Sequence, residues 1–404
     1  MRVLMVHNYY QQRGGEESVF ESEAGLLELH DHIVDRYTVH NDQIEGANPF
    51  ALAADTIWNQ QIYRDLRQAI RQNQPQVVHF QNTFPLISPA AYYAAKAEGV
   101  PVVQTLHNYR LLCPNALFFR DGKVCVDCLG KAVPLPSVIH GCYRNSRVAS
   151  AGVTAMLSLH SFFKTWSEAV DAFIVYSQFA MNKFIEGGLP REKLLFKTNS
   201  LHPVPEVGQG QGGYALFVGR LSVEKGLGVM LKAWEQLDGK IPLKIVGDGP
   251  MLPLVKEAQS RIPGIEWLGR QPLDKVYQLM GDASFLVFPS EWYETFGRVA
   301  LESFAKGTPV IAADIGAISE LVTPYQTGLR FRASDPNDLA TQVEWALSHP
   351  EAMLLMRRAA RTEFETKYTV TKNYQRLIEI YHQAQTNALK TGRKQTNAIS
   401  PANP

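Results

Sequence analysis

The chain has 404 residues, a length that predicts two or three domains. Apolar residues make up 45% of it, and the formal net charge of +1 provides no general attraction to nucleic acid or to another polyanion. The apolar runs are far shorter than a membrane span, the first residues lack the pattern of a secretory signal peptide, and no Asn-x-Ser/Thr sequon occurs. We therefore expect a cytoplasmic protein, either free or at the cytoplasmic face of the membrane, that has no nucleic-acid partner.

The first half of the chain alternates predicted strands with predicted helices. The strands are Arg2–Val6, Ile33–Val39, Gln76–Phe80, Pro101–Leu106, Ala172–Tyr176 and Leu194–Thr198. The helices, which have apolar residues at helical spacing, are Glu16–His30, Leu52–Arg71, Pro89–Glu98 and Phe179–Glu186. Because this alternation is typical of parallel strands joined by helical crossovers, residues 1–203 predict a Rossmann-like domain.

Two segments of the first half depart from this alternation. Residues 108–147, approximately, contain all four cysteines and little periodicity, and we interpret them as an ordered insertion. The next segment, Val148–Val170, predicts one long helix of mixed polarity. It is either an ordinary packed helix or a surface that meets a membrane or a lipid-linked acceptor. The second alternative depends on four neighbouring side chains, those of Phe162, Phe163, Lys164 and Trp166.

The domain boundary is predicted at residues 204–213, which are rich in Gly, Pro and Gln and form a linker. The linker matches the pattern G-x-G-x-x-G at Gly208, Gly210 and Gly213. A phosphate-binding loop of this pattern follows a strand and opens a helix, whereas this one precedes a strand. We therefore reject it as a dinucleotide site.

The second half repeats the alternation. Its strands are Ala215–Val218, Leu243–Val246, Ile265–Leu268, Phe285–Phe288 and Pro309–Ala312, and its helices include Leu227–Leu237, Leu252–Arg261, Asp338–Leu347 and Ala352–Phe364. Residues 214–365 predict a second Rossmann-like domain, residues 366–388 a last helix, and residues 389–404 a disordered polar tail. The fold class is thus α/β, with two doubly wound domains that face each other across a cleft, and ligands are expected in that cleft.

Basic residues follow the first strand of the second domain, in the stretch Phe217–Gly226. Gly219 allows close approach of a backbone, and Arg220 and Lys225 follow it in the loop. Two cations at this spacing suit a diphosphate, although alone they predict only a loop with two solvated bases. A second turn, Val246–Pro250, contains Gly247 and is a weak signal by itself.

The stretch from Ser290 to Val310 reads strand, loop, helix, strand. It has Glu294 in the loop, Phe296 and Gly297 at the turn, and Glu302 in the helix. The free amides of a helix N-terminus attract phosphates. Two carboxylates near a helix start otherwise indicate capping, and the position after a strand at the cleft favours a sugar-nucleotide site.

The order and spacing of these three motifs resemble the signature of the retaining glycosyltransferases of family 4, which have the two-domain GT-B fold. The resemblance implies that Arg220 and Lys225 hold the donor diphosphate and that Phe296 and Gly297 offer backbone amides to it. It implies that Glu294 contacts donor sugar hydroxyls and that Glu302 binds the ribose. It places Gly247 and Arg270 near the base and Gly219 in the phosphate loop. It also implies that the last helix crosses back to the first domain.

The first domain resembles the family more weakly. Gly14 and Gly15 match the glycine pair after strand one, which borders the phosphates and the acceptor. His107 matches the active-site histidine that contacts the donor sugar. Asn108 departs from the family, where an acidic residue is frequent, and this departure weakens inference about the acceptor.

Fixed cations and helix amides can stabilise the negative charge that develops on a departing diphosphate. The sequence contains no Asp-x-Asp pair of the kind that metal-dependent transferases use, so we expect transfer without a catalytic metal. The resemblance adds retention of the anomeric configuration, with the leaving phosphate accepting the acceptor's proton.

The four cysteines, Cys113, Cys125, Cys128 and Cys142, have the spacing C-x11-C-x2-C-x13-C. We predict a structural zinc site, with free thiols and disulfides as the alternatives that the spacing leaves open. His140 is a spare ligand candidate.

Two functions follow from these observations. The first is a hexosyltransferase that uses a UDP-sugar, or secondly GDP-mannose, and extends a glycan, a glycolipid or a lipid-linked polysaccharide precursor. The second is a non-catalytic sugar-nucleotide or glycan-binding module on the same fold. A nicotinamide oxidoreductase is set aside because no Gly-rich turn has the required placement.

Overall fold

Two six-stranded parallel sheets organise the chain in the computed structural model, which describes residues 1–11, 14–46, 48–390 and 392. The strands of the first half are β1 (Arg2–Tyr9), β2 (Ile33–His40), β3 (Val77–Asn82), β4 (Val102–Thr105), β5 (Phe119–Arg120), β6 (Lys123–Val124), β7 (Ala172–Val175) and β8 (Leu194–Phe196). The first sheet has the order β2-β1-β3-β4-β7-β8, and β5 and β6 form a separate antiparallel hairpin.

The helices of this half are α1 (Gly15–Leu29), α2 (Pro49–Ile57), α3 (Gln60–Asn73), α4 (Ala90–Ala97), α5 (Pro136–Ile139), α6 (Arg147–Phe162), α7 (Thr165–Glu168) and α8 (Gln178–Glu186). The strand bounds agree with the predictions to within a few residues. Apolar runs such as Val77–Phe80 are buried on both faces of the sheet, which is why the sequence identifies them well.

The second sheet has the order β11-β10-β9-β12-β13-β14. Its strands are β9 (Ala215–Val218), β10 (Leu243–Val246), β11 (Ile265–Gly269), β12 (Phe285–Phe288), β13 (Val310–Ala313) and β14 (Gly328–Phe331). The helices of the second half are α9 (Leu227–Leu237), α10 (Leu252–Arg261), α11 (Leu273–Asp282), α12 (Arg298–Ala305), α13 (Ile318–Leu321), α14 (Pro336–Ser348), α15 (Pro350–Lys367) and α16 (Val370–Lys390). The prediction of an α/β fold with two doubly wound parallel sheets is confirmed.

Local signals that the sequence analysis did not use divide two of the predicted helices. The predicted helix Leu52–Arg71 is α2 and α3, because the Asn59 side chain accepts hydrogen bonds from the amides of Gln61 and Ile62 and caps α3. The predicted helix Val148–Val170 ends at Phe162, and Lys164 has a left-handed φ of 53° before α7 begins.

The aromatic side chains at and after the end of α6 differ in their exposure to solvent. Phe162 and Phe163 are 79% and 56% exposed, whereas Trp166 is only 7% exposed and belongs to the core of the first sheet. The inclusion of Trp166 in a membrane-facing surface is therefore wrong. Among the described helices, none is both long and apolar enough to cross a bilayer.

The last helix, α16, lies against the first sheet although it follows the second in sequence. It packs on β4, β7 and α1, and its buried residues share one apolar cluster with residues of both sheets. Leu389 and Lys390, which we predicted in the tail, belong to this helix, and residues 391 and 393–404 of the predicted tail lie outside the described residues.

Candidate active site between the two sheets

The site in the second sheet lies where the strand order reverses, between β9 and its neighbour β12. Loops at the carboxyl ends of two such strands diverge and leave a crevice, which is where doubly wound sheets bind ligands. The loop after β9 carries Lys225 and the loop after β12 carries Glu294. These two side chains meet, with Lys225 Nζ 2.6 Å from Glu294 Oε1.

Glu294 is held by three donors at one oxygen. Besides Lys225, the Ser290 hydroxyl and the Trp292 indole each donate to Oε1 at 2.9 Å. The side chain is 8% exposed, and the Lys225 ammonium also lies 5.1 Å from the Trp292 ring centroid. The carboxylate therefore has a fixed orientation at the floor of the crevice.

A helix N-terminus with free amides lies next to Glu294. Gly297, with a left-handed φ of 102°, is the N-cap of α12. In the part of the chain that the structure describes, the amides of Phe296, Gly297 and Arg298 have no protein acceptor. The Phe296 ring is buried and packs near Tyr176 and Tyr368, so its backbone, and not its side chain, is available to a ligand.

Two of the predicted glycines lie in tight backbone contacts. Gly247 has φ 139°, and a Cβ built there would lie 1.9 Å from the carbonyl oxygen of Gly219. The Gly219 amide in turn donates to the Val246 carbonyl at 3.0 Å. Glycine at position 247 is thus required by the close approach of the loops after β9 and β10.

The remaining charged residues predicted for the donor differ in exposure. Arg220 and Arg270 are exposed, and within the described ranges neither guanidinium forms an ion pair. Glu302 is buried and accepts from Arg298 at 3.1 Å on the same helix. Burial raises the pKa of Glu302, and the nearby Arg298 guanidinium opposes this change.

In the first sheet, Gly14 and Gly15 lie at the start of α1, at the carboxyl end of β1. The Gly14 amide donates to Glu17 Oε2 at 2.7 Å, and Glu17 Oε1 accepts from the Tyr10 amide at 3.1 Å. Among the described residues, apart from its chain neighbours and the backbone of α1, a Cβ added to Gly15 would meet no atom within 4 Å. The described residues therefore leave space beside Gly15.

His107 follows β4 and is held by Gln81, whose Oε1 lies 2.6 Å from His107 Nε2. Burial lowers the pKa of His107 to about 3, so the ring is neutral. The next residue, Asn108, donates to Glu16 Oε1 at 2.7 Å. Burial raises the pKa of Glu16 to about 7. A carboxyl group from α1 therefore lies next to Asn108.

The loop after β12 also forms hydrogen bonds with residues of the first half of the chain. The Thr295 hydroxyl donates to the His107 carbonyl at 2.8 Å, and the Ser177 hydroxyl donates to the Thr295 carbonyl at 3.0 Å. The Tyr109 hydroxyl lies 3.4 Å from the Glu294 carbonyl. The loops that carry His107 and Glu294, which are far apart in the sequence, are therefore in contact.

Sequence reasoning missed Thr295 and Ser177, since a hydroxyl in a loop has no local pattern that reveals a distant partner. It did not assign a role to Glu320, whose carboxylate accepts from the amides of Gln178 and Phe179 at 2.9 and 2.6 Å. It also missed Gln81, for which a signal existed, namely a run of polar residues at the end of a strand that begins with apolar ones.

A cavity of about 420 Å³ lies between the two halves. It is lined by Tyr176, Ser177, Phe296, Glu320, Tyr368 and Lys372, among others. Of the predicted site residues only Phe296 lines it. The other residues predicted to hold the diphosphate, Arg220, Lys225 and Gly297, do not line this cavity.

The structure does not support the predicted zinc site. All four cysteines are free; Cys113 and Cys128 are buried and the other two are half-buried. Throughout the described residues, no three His, Cys, Asp or Glu side chains are arranged to hold a metal ion. Burial, and after it the nearby Cys113, Cys142 and Cys125 thiols, raise the pKa of Cys128 to about 11. The structural zinc site therefore stays a prediction.

Comparison with known proteins agrees with this architecture. The model of Glycosyltransferase Family 4 matches residues 2–195, and that of Glycosyl transferases group 1 matches residues 206–363. An uncharacterized glycosyltransferase of Methanocaldococcus jannaschii is 28% identical over 224 residues, covering 55% of this chain and 62% of that protein. Sulfoquinovosyl transferase of Arabidopsis thaliana is 26% identical over 298 residues, covering 72% and 53%. The chain thus spans less than two thirds of the length of these two relatives.

Solved structures show the same fold. Anabaena HepE in complex with UDP-glucose matches with a TM-score of 0.68 and 18% identity, over 95% of this chain and 100% of that one. Sucrose-phosphate synthase from Thermosynechococcus elongatus matches with a TM-score of 0.70 and 15% identity, over 95% and 98%. The chain therefore belongs to the group 1, family 4 glycosyltransferases, as its motifs predicted, and has their two-domain GT-B fold.

Proposed function

We propose that this protein is a retaining hexosyltransferase that uses a nucleotide-diphosphate sugar and needs no catalytic metal. The observation that carries the proposal is the contact between Lys225 and Glu294 at the strand-order reversal of the second sheet, beside the free amides that begin α12. A cation, a fixed carboxylate and unbonded amides together match a sugar attached to a diphosphate.

In this proposal the donor diphosphate lies between Lys225, Arg220 and the amides of Phe296 and Gly297. The 2.6 Å contact of Lys225 with Glu294 leaves Glu294 Oε2 for donor sugar hydroxyls. Glu302 would bind the ribose, the loops at Gly247 and Arg270 would border the base, and the loop at Gly219 would border the phosphates. Arg220 and Arg270 are exposed, and among the described residues their guanidinium groups form no ion pair. This supports the proposal that they bind an anionic ligand.

Bond cleavage between sugar and diphosphate builds negative charge on the leaving group and positive charge on the sugar. Lys225, Arg220 and the α12 amides would stabilise the leaving group, and loss of one such donor typically costs about 3 kcal/mol of transition-state stabilisation. The leaving phosphate would accept the acceptor's proton on the same face, so no carboxylate needs to act as nucleophile. Neutral His107 would contact the donor sugar, and the open space beside Gly14 and Gly15 would admit phosphate or acceptor.

A UDP-sugar is our first choice of donor, supported by the fold shared with HepE, which was solved with UDP-glucose, and GDP-mannose is the second. For the acceptor we propose a glycan, a glycolipid or a lipid-linked polysaccharide precursor. The exposed rings of Phe162 and Phe163 support contact with a lipid-linked acceptor or a membrane surface.

We further propose that the chain divides into an acceptor domain of residues 1–203, a linker of residues 204–213, a donor domain of residues 214–365 and a returning helix of residues 366–388. The two separate sheets, each with its own helices, support this division.

The test replaces Lys225 and Glu294 separately by alanine and measures transfer from UDP- and GDP-sugars. We expect each variant to lose about a hundredfold or more in kcat while its melting temperature stays near that of the wild type. The control is Lys232→Ala. Lys232 is an exposed lysine of the same half of the chain, but it lies on α9 and not in the loop that carries Lys225.

Full activity of either site variant would contradict the site assignment. A purified wild type that binds nucleotide sugars but neither transfers nor hydrolyses them would instead favour the non-catalytic module. Activity that is abolished by chelators would contradict transfer without a metal.

A further inference from the structure

A buried chain of polar groups runs from the interior of the first sheet to His107. Lys197 Nζ lies 2.5 Å from Glu23 Oε1, and the Gln81 amide donates to Glu23 Oε2 at 2.6 Å. Gln81 Oε1 lies 2.6 Å from His107 Nε2. Glu23, Gln81 and Lys197 are each at most 3% exposed, so water does not compete for these bonds.

The chemistry of this chain fixes the direction of each hydrogen bond. Although burial by itself raises it, the Lys197 ammonium holds the pKa of Glu23 below its ordinary value. An ionised carboxylate only accepts, so Gln81 must direct its NH₂ group toward Glu23. The Gln81 carbonyl then points to His107, and only a protonated Nε2 can donate to it.

We propose that Gln81, oriented by the buried Glu23–Lys197 ion pair, is a positioning residue that holds His107 as the neutral Nε2–H tautomer. Nδ1 then carries the lone pair, and within the described part of the chain no protein group bonds to it. His107 would therefore act toward the donor sugar as a hydrogen-bond acceptor at Nδ1. The use of His107 in transfer rests on the proposed function, but its tautomer does not.

The geometry also gives the buried charged groups a role. A buried Lys–Glu pair costs desolvation and is weak evidence for stability, whereas its partner groups gain a fixed orientation. A glutamine alone could present either its oxygen or its nitrogen to His107. With Glu23 on its other side, only one orientation satisfies both contacts.

The test measures the tautomer directly, by long-range proton–nitrogen correlation NMR on the full chain labelled at histidine nitrogens. The chain has 11 histidines, so the His107 signals are assigned by their loss in His107→Asn. The wild type should show the Nε2–H tautomer. Gln81→Met, which keeps the side-chain length without an acceptor, should lose this preference and lower kcat by about tenfold to a hundredfold.

Gln81→Glu is the conservative rescue. A protonated glutamic acid at this position offers a hydroxyl donor to Glu23 and a carbonyl acceptor to His107, as glutamine does. Gln81→Glu should therefore keep the Nε2–H tautomer and most of the activity. If only the volume of the side chain mattered, Gln81→Glu and Gln81→Met would behave alike.

An Nδ1–H tautomer in the wild type, or an unchanged tautomer in Gln81→Met, would overturn the proposal. The wild-type spectrum tests it even where a variant fails to fold. Absence of any transferase activity would refute the proposed function alone, since the tautomer is read without substrate.

Discussion

At the scale of single residues, two glycines of the cleft differ in what the folded protein requires. A Cβ at Gly247 would lie 1.9 Å from the Gly219 carbonyl oxygen, and its φ is 139°. A Cβ at Gly15 would meet no described atom outside its chain neighbours and its own helix. The fold therefore requires glycine at position 247, whereas the described residues do not require it at position 15.

We predict that Gly247→Ala destabilises the protein by at least about 3 kcal/mol, because two backbone segments would have to separate. Gly15→Ala should keep the melting temperature or raise it slightly, since alanine is favoured over glycine in a helix by about 0.5–1 kcal/mol. The same change should raise the KM for donor or acceptor if a ligand fills the open space. Thermal unfolding and steady-state kinetics measure both effects.

Equal melting of Gly247→Ala and wild type would contradict the close approach of the two loops. Unchanged kinetic constants in Gly15→Ala would remove Gly15 from the site.

The residues proposed for the donor site were predicted from local motifs, and their roles stay predictions. Lys225 and Glu294 were each predicted from a strand–loop pattern, but their direct contact joins residues 69 positions apart and has no sequence signal. The Glu23–Lys197 pair, 174 positions apart, was missed for the same reason. The zinc site stays a prediction, because cysteine spacing alone does not determine how an irregular insertion directs its thiols.

At the scale of elements, the N-terminus of α8 is covered by residues from the other half of the chain. Glu320 accepts from the amides of Gln178 and Phe179, while the N-cap residue Ser177 donates to the Thr295 carbonyl. A carboxylate at a helix N-terminus is stabilised by the unbonded amides and by the helix dipole. The two halves of the cleft are thus held together at this helix end.

We predict that Glu320→Ala lowers stability by about 1 kcal/mol, the usual effect of a lost helix cap, and shifts the cleft toward a more open form. Small-angle scattering should then report a larger radius of gyration, and the KM for the donor should rise. Glu344→Ala is the matched control, because its partner Lys240 is exposed and such surface pairs contribute little.

A variant that scatters and melts like the wild type would show that Glu320 does not hold the cleft closed. A change of the same size in Glu344→Ala would show that the effect is one of net charge.

Strands were predicted correctly where burial requires a run of apolar residues. Prediction failed where a single residue determines the boundary or the character of an element. The five strands predicted for the second sheet are all present, whereas β14 was missed because it begins with Gly328 and contains Arg330. The break between α2 and α3 depends on the single cap of Asn59, and the break after α6 on Lys164.

At the scale of the whole molecule, α16 connects the second half of the chain to the first sheet. Its Tyr381 hydroxyl bonds to the buried His79 Nδ1 at 2.9 Å, and Asn387 donates to the Asp171 carbonyl at 2.9 Å. Leu377 and Ile380 are fully buried in the cluster shared by both sheets. The first sheet therefore obtains part of its core from the last helix of the chain.

Removal of this helix should consequently damage the first sheet more than the second. Each fully buried Leu or Ile side chain contributes about 1.5–3 kcal/mol, and a domain has only about 5–15 kcal/mol of net stability. We predict that a chain truncated after Tyr368 melts at least about 10 °C lower or fails to fold.

The control is truncation after Lys390, which keeps the whole of α16 and should melt like the full chain. Hydrogen exchange should increase in β4 and β7 and stay near its original level in β12 and β13. Equal protection of both sheets in the shorter chain would show that α16 is an accessory helix, and the first sheet's core would then have to be complete without it.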